Sequence, residues 1–218
     1  PVLRIRQRTL DKHQVIALDN YQINQIMDVI DHGSSQMSDR QENNRGKTYI
    51  RDKAIYTLAL NTGIRVSELV SLDIGDIDFR RHCFNIIRKR GKEDTVYFSD
   101  SVEAALLDWL EIRPQFLSDQ NEQALFLSTQ GSKKGLRLSV RSVEILVKKY
   151  AKIGAPEIGS KITPHKLRSS YATKIIEKTG GDINYAKNVL GHENITTTTH
   201  YIKDNEKQKE LNRNLLDP

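Results

Sequence analysis

Residues 163–201 read TPHKLRSSYATKIIEKTGGDINYAKNVLGHENITTTTHY, and this stretch predicts two consecutive helices ahead of a threonine-rich segment. Thr163-Pro164 supplies residue types that favour the cap and the first turn of a helix. Gly180-Gly181 interrupts the helical pattern, and Gly191 is suited to end the second helix. We expect the rest of the chain to be organised around these two helices.

The same stretch concentrates side chains suited to chemistry on a phosphate. His165 and Arg168 are three residues apart, so they project from one face of the first predicted helix. His192 follows the second helix, and Tyr201 ends the stretch. Such a set could hold a phosphate between cations while the phenol of Tyr201 attacks it. Zinc binding is the alternative for the histidines, but no cysteine or second carboxylate stands at ligand spacing beside them, and we expect no metal.

Hydrophobic spacing elsewhere predicts a mainly α-helical fold with a small antiparallel β-sheet (α+β). Helices are indicated after Asp19, over Thr48–Asn61, in VSELVSL, over Ser101–Arg113 and from Val140 onward. The segments CFNIIRK and TVYFS are rich in β-branched and aromatic residues and predict a hairpin, with Arg90-Gly91 as its turn. We expect one compact domain over residues 1–218.

Several expectations concern single segments. Residues 32–47 are polar, contain glycine and show no periodicity, which predicts a mobile surface loop. Trp109 is expected in the core, as are Tyr171 and Tyr185 on the apolar faces of their helices. The charged residues 204–218 predict a helical tail with few apolar positions, which is expected to dock on a neighbouring protomer.

Charge and composition narrow the class of protein. Lys and Arg number 34 against 28 Asp and Glu, which gives a net charge of +6 and suits a protein that meets a polyanion; a soluble protein that happens to be basic fits equally well. The single cysteine, Cys83, excludes an internal disulfide and suits a reducing compartment. No apolar run has the length of a membrane span, so we expect a cytoplasmic, DNA-associated protein with no membrane partner.

A cationic segment follows residue 127 and contains the helical apolar set Val140, Val143, Leu146 and Val147. Its basic residues alternate with apolar residues at helical spacing, so one face packs while the other is positive. Such a face is either simply solvated or lies along phosphates, and both interpretations remain open. The candidate DNA-binding residues are Arg90, Lys92, Lys133, Lys134, Arg137 and Arg141.

Three blocks stand in a fixed order along the chain. They are TGIRVSEL at 62–69, HKLR at 165–168, and LGH at 190–192 followed nine residues later by Tyr201. In these blocks the chain resembles the catalytic domain of tyrosine recombinases, the integrase and Xer-type family of site-specific DNA recombinases. The resemblance covers roughly residues 54–203, and the order and spacing of the blocks make it specific.

The resemblance implies a role for each matched residue. Arg65 and Arg168 would be the paired arginines on the scissile phosphate, and His165 and His192 their histidine partners. Tyr201 would be the nucleophile. An acidic position of the family motif falls on Glu68, which implies a supporting role.

The family also places a lysine on the β-hairpin, and an ungapped count from Arg65 puts it at Lys89. Xer-type members carry a glycine-lysine-glycine run there, whereas this chain reads Arg88-Lys89-Arg90-Gly91-Lys92. Lys92 is therefore a rival for the lysine role.

The implied activity is site-specific recombination or integration of DNA through a covalent 3′-phosphotyrosyl intermediate and a Holliday junction. The implied partners are double-stranded DNA recombination sites and three further copies, as a homotetramer on two sites, and no cofactor is implied. The chain begins with Pro1 rather than methionine, which suggests a fragment whose N-terminal core-binding domain is missing. The alternatives are a type IB topoisomerase-like enzyme that relaxes DNA and a catalytically silent DNA-binding regulator with the same fold.

Overall fold

The computed structural model describes residues 16–88 and 91–191. Seven α-helices and three strands appear in these ranges, in the order α1 Asn20–His32, α2 Asp39–Thr62, α3 Val66–Ser71, β1 Ile77–Asp78, β2 Cys83–Ile87, β3 Glu93–Tyr97, α4 Asp100–Ile112, α5 Val140–Gly154, α6 Pro164–Lys178 and α7 Ile183–Leu190. The prediction of a mainly α-helical fold with a small antiparallel sheet is confirmed. Nothing in the described ranges forms a helix both long and apolar enough to span a membrane.

The prediction of a mobile loop over residues 32–47 is wrong for its second half, because α2 already begins at Asp39. Ser38 caps this helix, and the side chain of Gln41 accepts a hydrogen bond from the Ser38 backbone N–H at 2.9 Å. The guanidinium of Arg45 donates to the carbonyls of Ile30 and Asp31, at 3.2 and 3.0 Å, and so ties the start of α2 to the end of α1. Residues 39–47 are polar because this part of α2 lies at the surface.

The core is assembled around the second half of α2, which packs against α1, α4 and α6. Ile55 and Leu58 of α2 have no exposed surface. Trp109 is also fully buried, as predicted, and its indole N–H donates to the carbonyl of Leu125 at 2.8 Å. The hydroxyl of Tyr56 donates to the carbonyl of Val147, at 2.7 Å, which fastens α2 to α5.

The three strands form one antiparallel sheet in the order β1-β2-β3. In the hairpin Phe84 pairs with Val96 and Ile86 with Asp94, and the side chains of Phe84 and Ile86 face the core. The outward residues Asn85 and Ile87 alternate with them. The predicted hairpin is therefore confirmed, although residues 89–90 of its turn lie outside the described ranges.

The tyrosines of the last two helices differ from the prediction. Tyr171 of α6 is half-buried, but Tyr185 of α7 keeps 52% of its surface exposed, so its assignment to the core is wrong. The eight-residue helix α7 turns Ala186 and Leu190 inward, and a residue one position before Ala186 faces away from them.

Candidate active site

Arg65 is held at the start of α3 by a carboxylate of the same helix. Glu68 accepts hydrogen bonds from the backbone N–H of Arg65, at 2.9 Å, and from its guanidinium, at 2.7 Å. The carboxylate is nearly buried, whereas 31% of the Arg65 side chain remains exposed. Glu68 therefore fixes the direction of the guanidinium, while part of the Arg65 side chain stays exposed.

Arg168 reaches the same region from α6, and only 4% of it is exposed. Its guanidinium donates to the carbonyls of Gly63 and Leu190. Gly63 lies two residues before Arg65, and Leu190 is the last residue of α7. A single buried guanidinium thus joins the end of α2 to the end of α7, over 105 and 22 residues of chain respectively.

Two glycines make this close approach possible. Gly63 has φ +61°, and a Cβ there would lie 2.3 Å from Cδ1 of Tyr171 and 3.0 Å from Cδ2 of Leu190. Gly191 has φ +59°, and a Cβ there would lie 2.1 Å from a guanidinium nitrogen of Arg88. Both positions need the left-handed conformation that glycine adopts without strain and also the space that its missing side chain leaves.

The end of α7 is the point at which the candidate residues meet. The carbonyl of Gly191 faces the Arg65 guanidinium at 3.4 Å, and the carbonyl of Leu190 is bound by Arg168. His192 follows Gly191 directly in the sequence, but both His192 and Tyr201 lie outside the described residues. The structure therefore brings together Arg65, Glu68, Arg168 and the residue that precedes His192.

His165 stands one helical turn before Arg168, at the exposed start of α6. Partial loss of contact with water lowers the pKa of its imidazole, and the positive charges of Lys166, Arg168 and Arg65 lower it further. The electrostatic contribution of Arg65 shows that both arginines and His165 share one electropositive region. A neutral imidazole in such a place can donate one hydrogen bond to an anion.

The chain is similar to known proteins over most of its length. Residues 17–208 match the model of the phage integrase family. The chain belongs to this family. The tyrosine recombinase XerC of Vibrio cholerae is 36% identical over 197 residues, which cover 90% of this chain and 55% of that protein. The tyrosine recombinase XerC of Caldanaerobacter subterraneus is 38% identical over 168 residues, which cover 76% and 45%. The chain thus spans about half the length of the curated relatives that it matches.

Solved structures of recombinases have the same fold. The crystal structure of XerA recombinase superposes with a TM-score of 0.72 at 25% identity, over 94% of this chain and 66% of that one. The XerH site-specific recombinase, bound to its palindromic difH substrate in a post-cleavage complex, also gives 0.72, at 22% identity over 95% and 55%. The fold expected from the sequence resemblance is confirmed.

The hairpin contributes a residue whose role the sequence did not predict. Arg88 follows the inward-facing Phe84 and Ile86 at a spacing of two, and its guanidinium pairs with Asp94 and donates to the carbonyl of Leu190 at 2.6 Å. The alternation of inward-facing residues at every second position along the strand was the signal in the sequence that could have placed Arg88 on the inner face. Of the two candidate lysines, Lys92 is exposed, and Lys89 lies outside the described residues together with Arg90.

The other candidate DNA-binding residues differ in whether their charged groups already contact other parts of the protein. Lys133 and Lys134 are exposed, and so is Arg141, which pairs with Glu144 at 3.2 Å. Arg137 instead donates to the carbonyls of Val70 and Leu72, at 2.9 and 3.2 Å, and pairs with Asp73. The contacts of Arg137 give it a role in holding the domain together.

A group of possible metal ligands lies elsewhere in the described part of the chain. His82, Asp100 and Glu103 have ligand atoms within 4.8 Å of one another. His82 lies between the two carboxylates, with Nδ1 at 3.6 Å from Asp100 and 3.7 Å from Glu103. None of these residues was among the predicted catalytic set.

Proposed function

We propose that this chain is the catalytic part of a site-specific DNA recombinase that cleaves and rejoins strands through a covalent 3′-phosphotyrosyl intermediate. The observation that carries the proposal is the meeting of Arg65 and Arg168 at the end of α7, one residue before His192. Membership of the integrase family and the names of the XerC relatives support it.

The arginines suit the demands of phosphoryl transfer. When an oxygen attacks a phosphodiester, negative charge gathers on the nonbridging oxygens, and fixed donors aimed at them stabilise the transition state more than the ground state. A guanidinium keeps its charge at any working pH and can bind two oxygens at once, which an ammonium cannot. Glu68 holds Arg65 in place before substrate arrives, so little reorganisation is needed during the reaction.

Tyr201 supplies the nucleophile in this proposal. A phenol has a pKa of about 10, far below that of an aliphatic alcohol, so it attacks readily near neutral pH and also leaves readily in the reverse reaction. The phosphotyrosyl bond therefore conserves the energy of the broken strand, and rejoining needs no nucleotide cofactor. The 5′ alkoxide is a poor leaving group, and Lys89 is proposed to deliver its proton.

The proposed partners are double-stranded DNA recombination sites and further copies of the same chain. The related XerH structure holds a palindromic difH substrate, and a palindrome offers equivalent half-sites to symmetric copies of a protein. We propose a homotetramer on two sites, with a Holliday junction as the intermediate. The predicted tail at 204–218 would dock on a neighbour; it lies outside the described residues and stays a prediction.

The test is covalent trapping on nicked DNA. Because the target sequence is unknown, the chain is incubated with a pool of nicked duplexes of randomised sequence, and DNA that stays attached in SDS is recovered and sequenced. Wild type is expected to form an adduct on the recovered site, whereas Tyr201→Phe should bind that site and form none. Tyr185→Phe, which alters an exposed tyrosine of α7, should match wild type.

The same assay separates the alternatives. An adduct that persists in Tyr201→Phe contradicts the assignment of the nucleophile. Binding without any adduct in wild type indicates a silent regulator, and relaxation of supercoiled plasmid without strand exchange between two recovered sites indicates a topoisomerase-like activity.

A further inference from the structure

Arg88 closes the turn of the hairpin through its backbone. Its N–H donates to the carbonyl of Lys92 at 2.8 Å, and its carbonyl accepts from the N–H of Gly91 at 3.2 Å. Gly91 has φ +72°, which suits a tight turn. Lys89 is the next residue in the sequence, so the position of Arg88 fixes one end of the segment that carries it.

The side chain of Arg88 connects this turn to another part of the active site. Its guanidinium is bound on one side by Asp94 of β3 and on the other by the carbonyl of Leu190 at the end of α7. Only 9% of the Arg88 side chain is exposed and Leu190 is buried, so the contact with this carbonyl is sheltered from water, whereas 35% of the Asp94 side chain is exposed. Hydrogen bonds between a charged donor and a sheltered acceptor are among the stronger contacts in a protein.

The carbonyl of Leu190 receives two guanidinium groups, from Arg88 and from Arg168. Two cations at one acceptor repel each other, and the carboxylate of Asp94 offsets that repulsion on the side of Arg88. The carbonyl oxygen of Leu190 therefore binds both the hairpin, through Arg88, and Arg168, which is proposed to bind the phosphate.

We propose that Arg88 is a positioning residue that holds the lysine-bearing hairpin turn against the end of α7, and so sets the place of the proton donor relative to the scissile phosphate. The claim that Arg88 positions the proton donor rests on the proposed function. The contacts of Arg88 with Asp94 and Leu190 are independent of it.

Removal of the side chain should affect the two attached elements unequally. The end of α7 keeps its bond to Arg168, because that guanidinium also donates to the carbonyl of Leu190. The turn, by contrast, loses both its link to α7 and the partner of Asp94. The loss should therefore fall on proton delivery from the hairpin rather than on the arginines that bind the phosphate.

The contact between Arg88 and Leu190 needs a small residue next to it, because a Cβ at position 191 would lie 2.1 Å from a guanidinium nitrogen of Arg88. Gly191 leaves the space that the Arg88 guanidinium occupies.

The first experiment needs no DNA. Hydrogen exchange of the 218-residue chain is compared between wild type, Arg88→Ala and Arg81→Ala, the last being an exposed arginine before β2. In Arg88→Ala the amides over residues 88–94 should exchange about tenfold faster, the loss expected for a hydrogen bond to a charged group. Exchange in α4 should not change, and Arg81→Ala should match wild type throughout. Unchanged exchange over 88–94 overturns the proposal.

The second experiment follows adduct formation on the recovered nicked site, with either the natural bridging 5′ oxygen or sulfur in its place. A thiolate leaves without a proton donor, since the pKa of a thiol is only about 8.5. Arg88→Ala should be about 10- to 100-fold slower than wild type on ordinary DNA, because the donor is misplaced. It should regain nearly the wild-type rate on the sulfur-bridged DNA, as should Lys89→Ala. Arg88→Lys, which can pair with Asp94 but lacks the fork of the guanidinium, should be intermediate on ordinary DNA.

The outcomes separate this inference from the proposed function. Equal slowing on both substrates, or a wild-type rate on ordinary DNA, overturns the assignment of Arg88 to proton delivery. If wild type forms no adduct on any duplex of the pool, the proposed function fails, and the exchange experiment still decides whether Arg88 holds the turn.

Discussion

The two arginines of the candidate site are fixed by different means. Arg65 is oriented by the Glu68 carboxylate and keeps part of its side chain exposed, while Arg168 is nearly buried and is held by backbone carbonyls. A lysine at either position would preserve charge but could not satisfy two acceptors in one plane. The protein around each position therefore requires an arginine, and an arginine also suits the phosphate of the proposed function.

The titration of His165 is a prediction at the scale of one residue. Its pKa should lie below the ordinary value of about 6.5, because partial desolvation and three nearby cations disfavour the protonated ring. The folded chain should therefore bind this proton at a lower pH than the unfolded chain, and His165 should cost stability as pH falls below about 6.5 and none above it. NMR titration of the imidazole gives the midpoint directly.

Charge neutralisation checks the cause of that shift. Lys166→Gln should move the midpoint of His165 upward, since Lys166 is the strongest of the neighbouring charges. Lys161→Gln, which removes an exposed lysine that does not contribute to the shift, should leave it in place. A midpoint in wild type above that of a model histidine would contradict this electrostatic description.

At the scale of the element, helix α2 shows how local and tertiary factors combine. A capping box at Ser38 and acidic residues in the first turn start the helix, and Gly63 ends it in the left-handed conformation. The exposed first half of α2 depends on Arg45 contacts with α1, whereas the second half is buried. The end of α2 is thereby positioned to present Arg65.

Alanine substitutions at Gly46, within α2, and at Gly63, which ends α2, should change the free energy of unfolding in opposite directions. Gly63→Ala places a Cβ 2.3 Å from Tyr171 at φ +61°, so the free energy of unfolding should fall by about 1–3 kcal/mol. Gly46→Ala lies inside the helix with nothing within 4 Å of the new Cβ, so the same quantity should rise by about 0.5–1 kcal/mol. Chemical denaturation measures both, and destabilisation by Gly46→Ala would contradict the helix assigned to residues 39–47.

At the scale of the whole molecule, the proposed encounter with DNA depends on charge. The chain carries a net charge of +6. Some of the basic residues ahead of and within α5 are exposed, whereas others already bind groups of the protein. Lys133 and Lys134 are exposed, whereas Arg137 holds the 70–73 segment through two carbonyls and Asp73. Only the exposed group is available for phosphates.

Binding to duplex DNA of random sequence should therefore weaken steeply with salt. The slope of log K against log salt should be about −0.9 for each phosphate contacted. Lys134→Gln should reduce its magnitude by about one contact without changing the unfolding midpoint. Arg137→Gln should instead lower the unfolding midpoint, because it leaves buried or half-buried acceptors without their donor. An affinity that does not change between about 50 and 200 mM salt would contradict the DNA-binding proposal.

The amino-acid sequence by itself determined most of the helical segments, the hairpin and the family, although it missed the first part of α2. Those features follow from local sequence patterns, which are the period of apolar residues, caps such as Asp19, the glycines that end helices, and the order of three blocks. Residue type and helical spacing singled out His165 and Arg168 as candidates, whereas Arg65 became a candidate only through the resemblance to tyrosine recombinases.

Only the tertiary structure decided how these parts meet. Arg168 reaches Gly63 across 105 residues and Arg88 reaches Leu190 across 102, and no local pattern encodes either contact. The same holds for Arg45 on α1 and for the exposed face of Tyr185, which the sequence analysis assigned wrongly. The physical reason is that a buried guanidinium is stable only where its acceptors converge on it, and that convergence exists only in the folded chain.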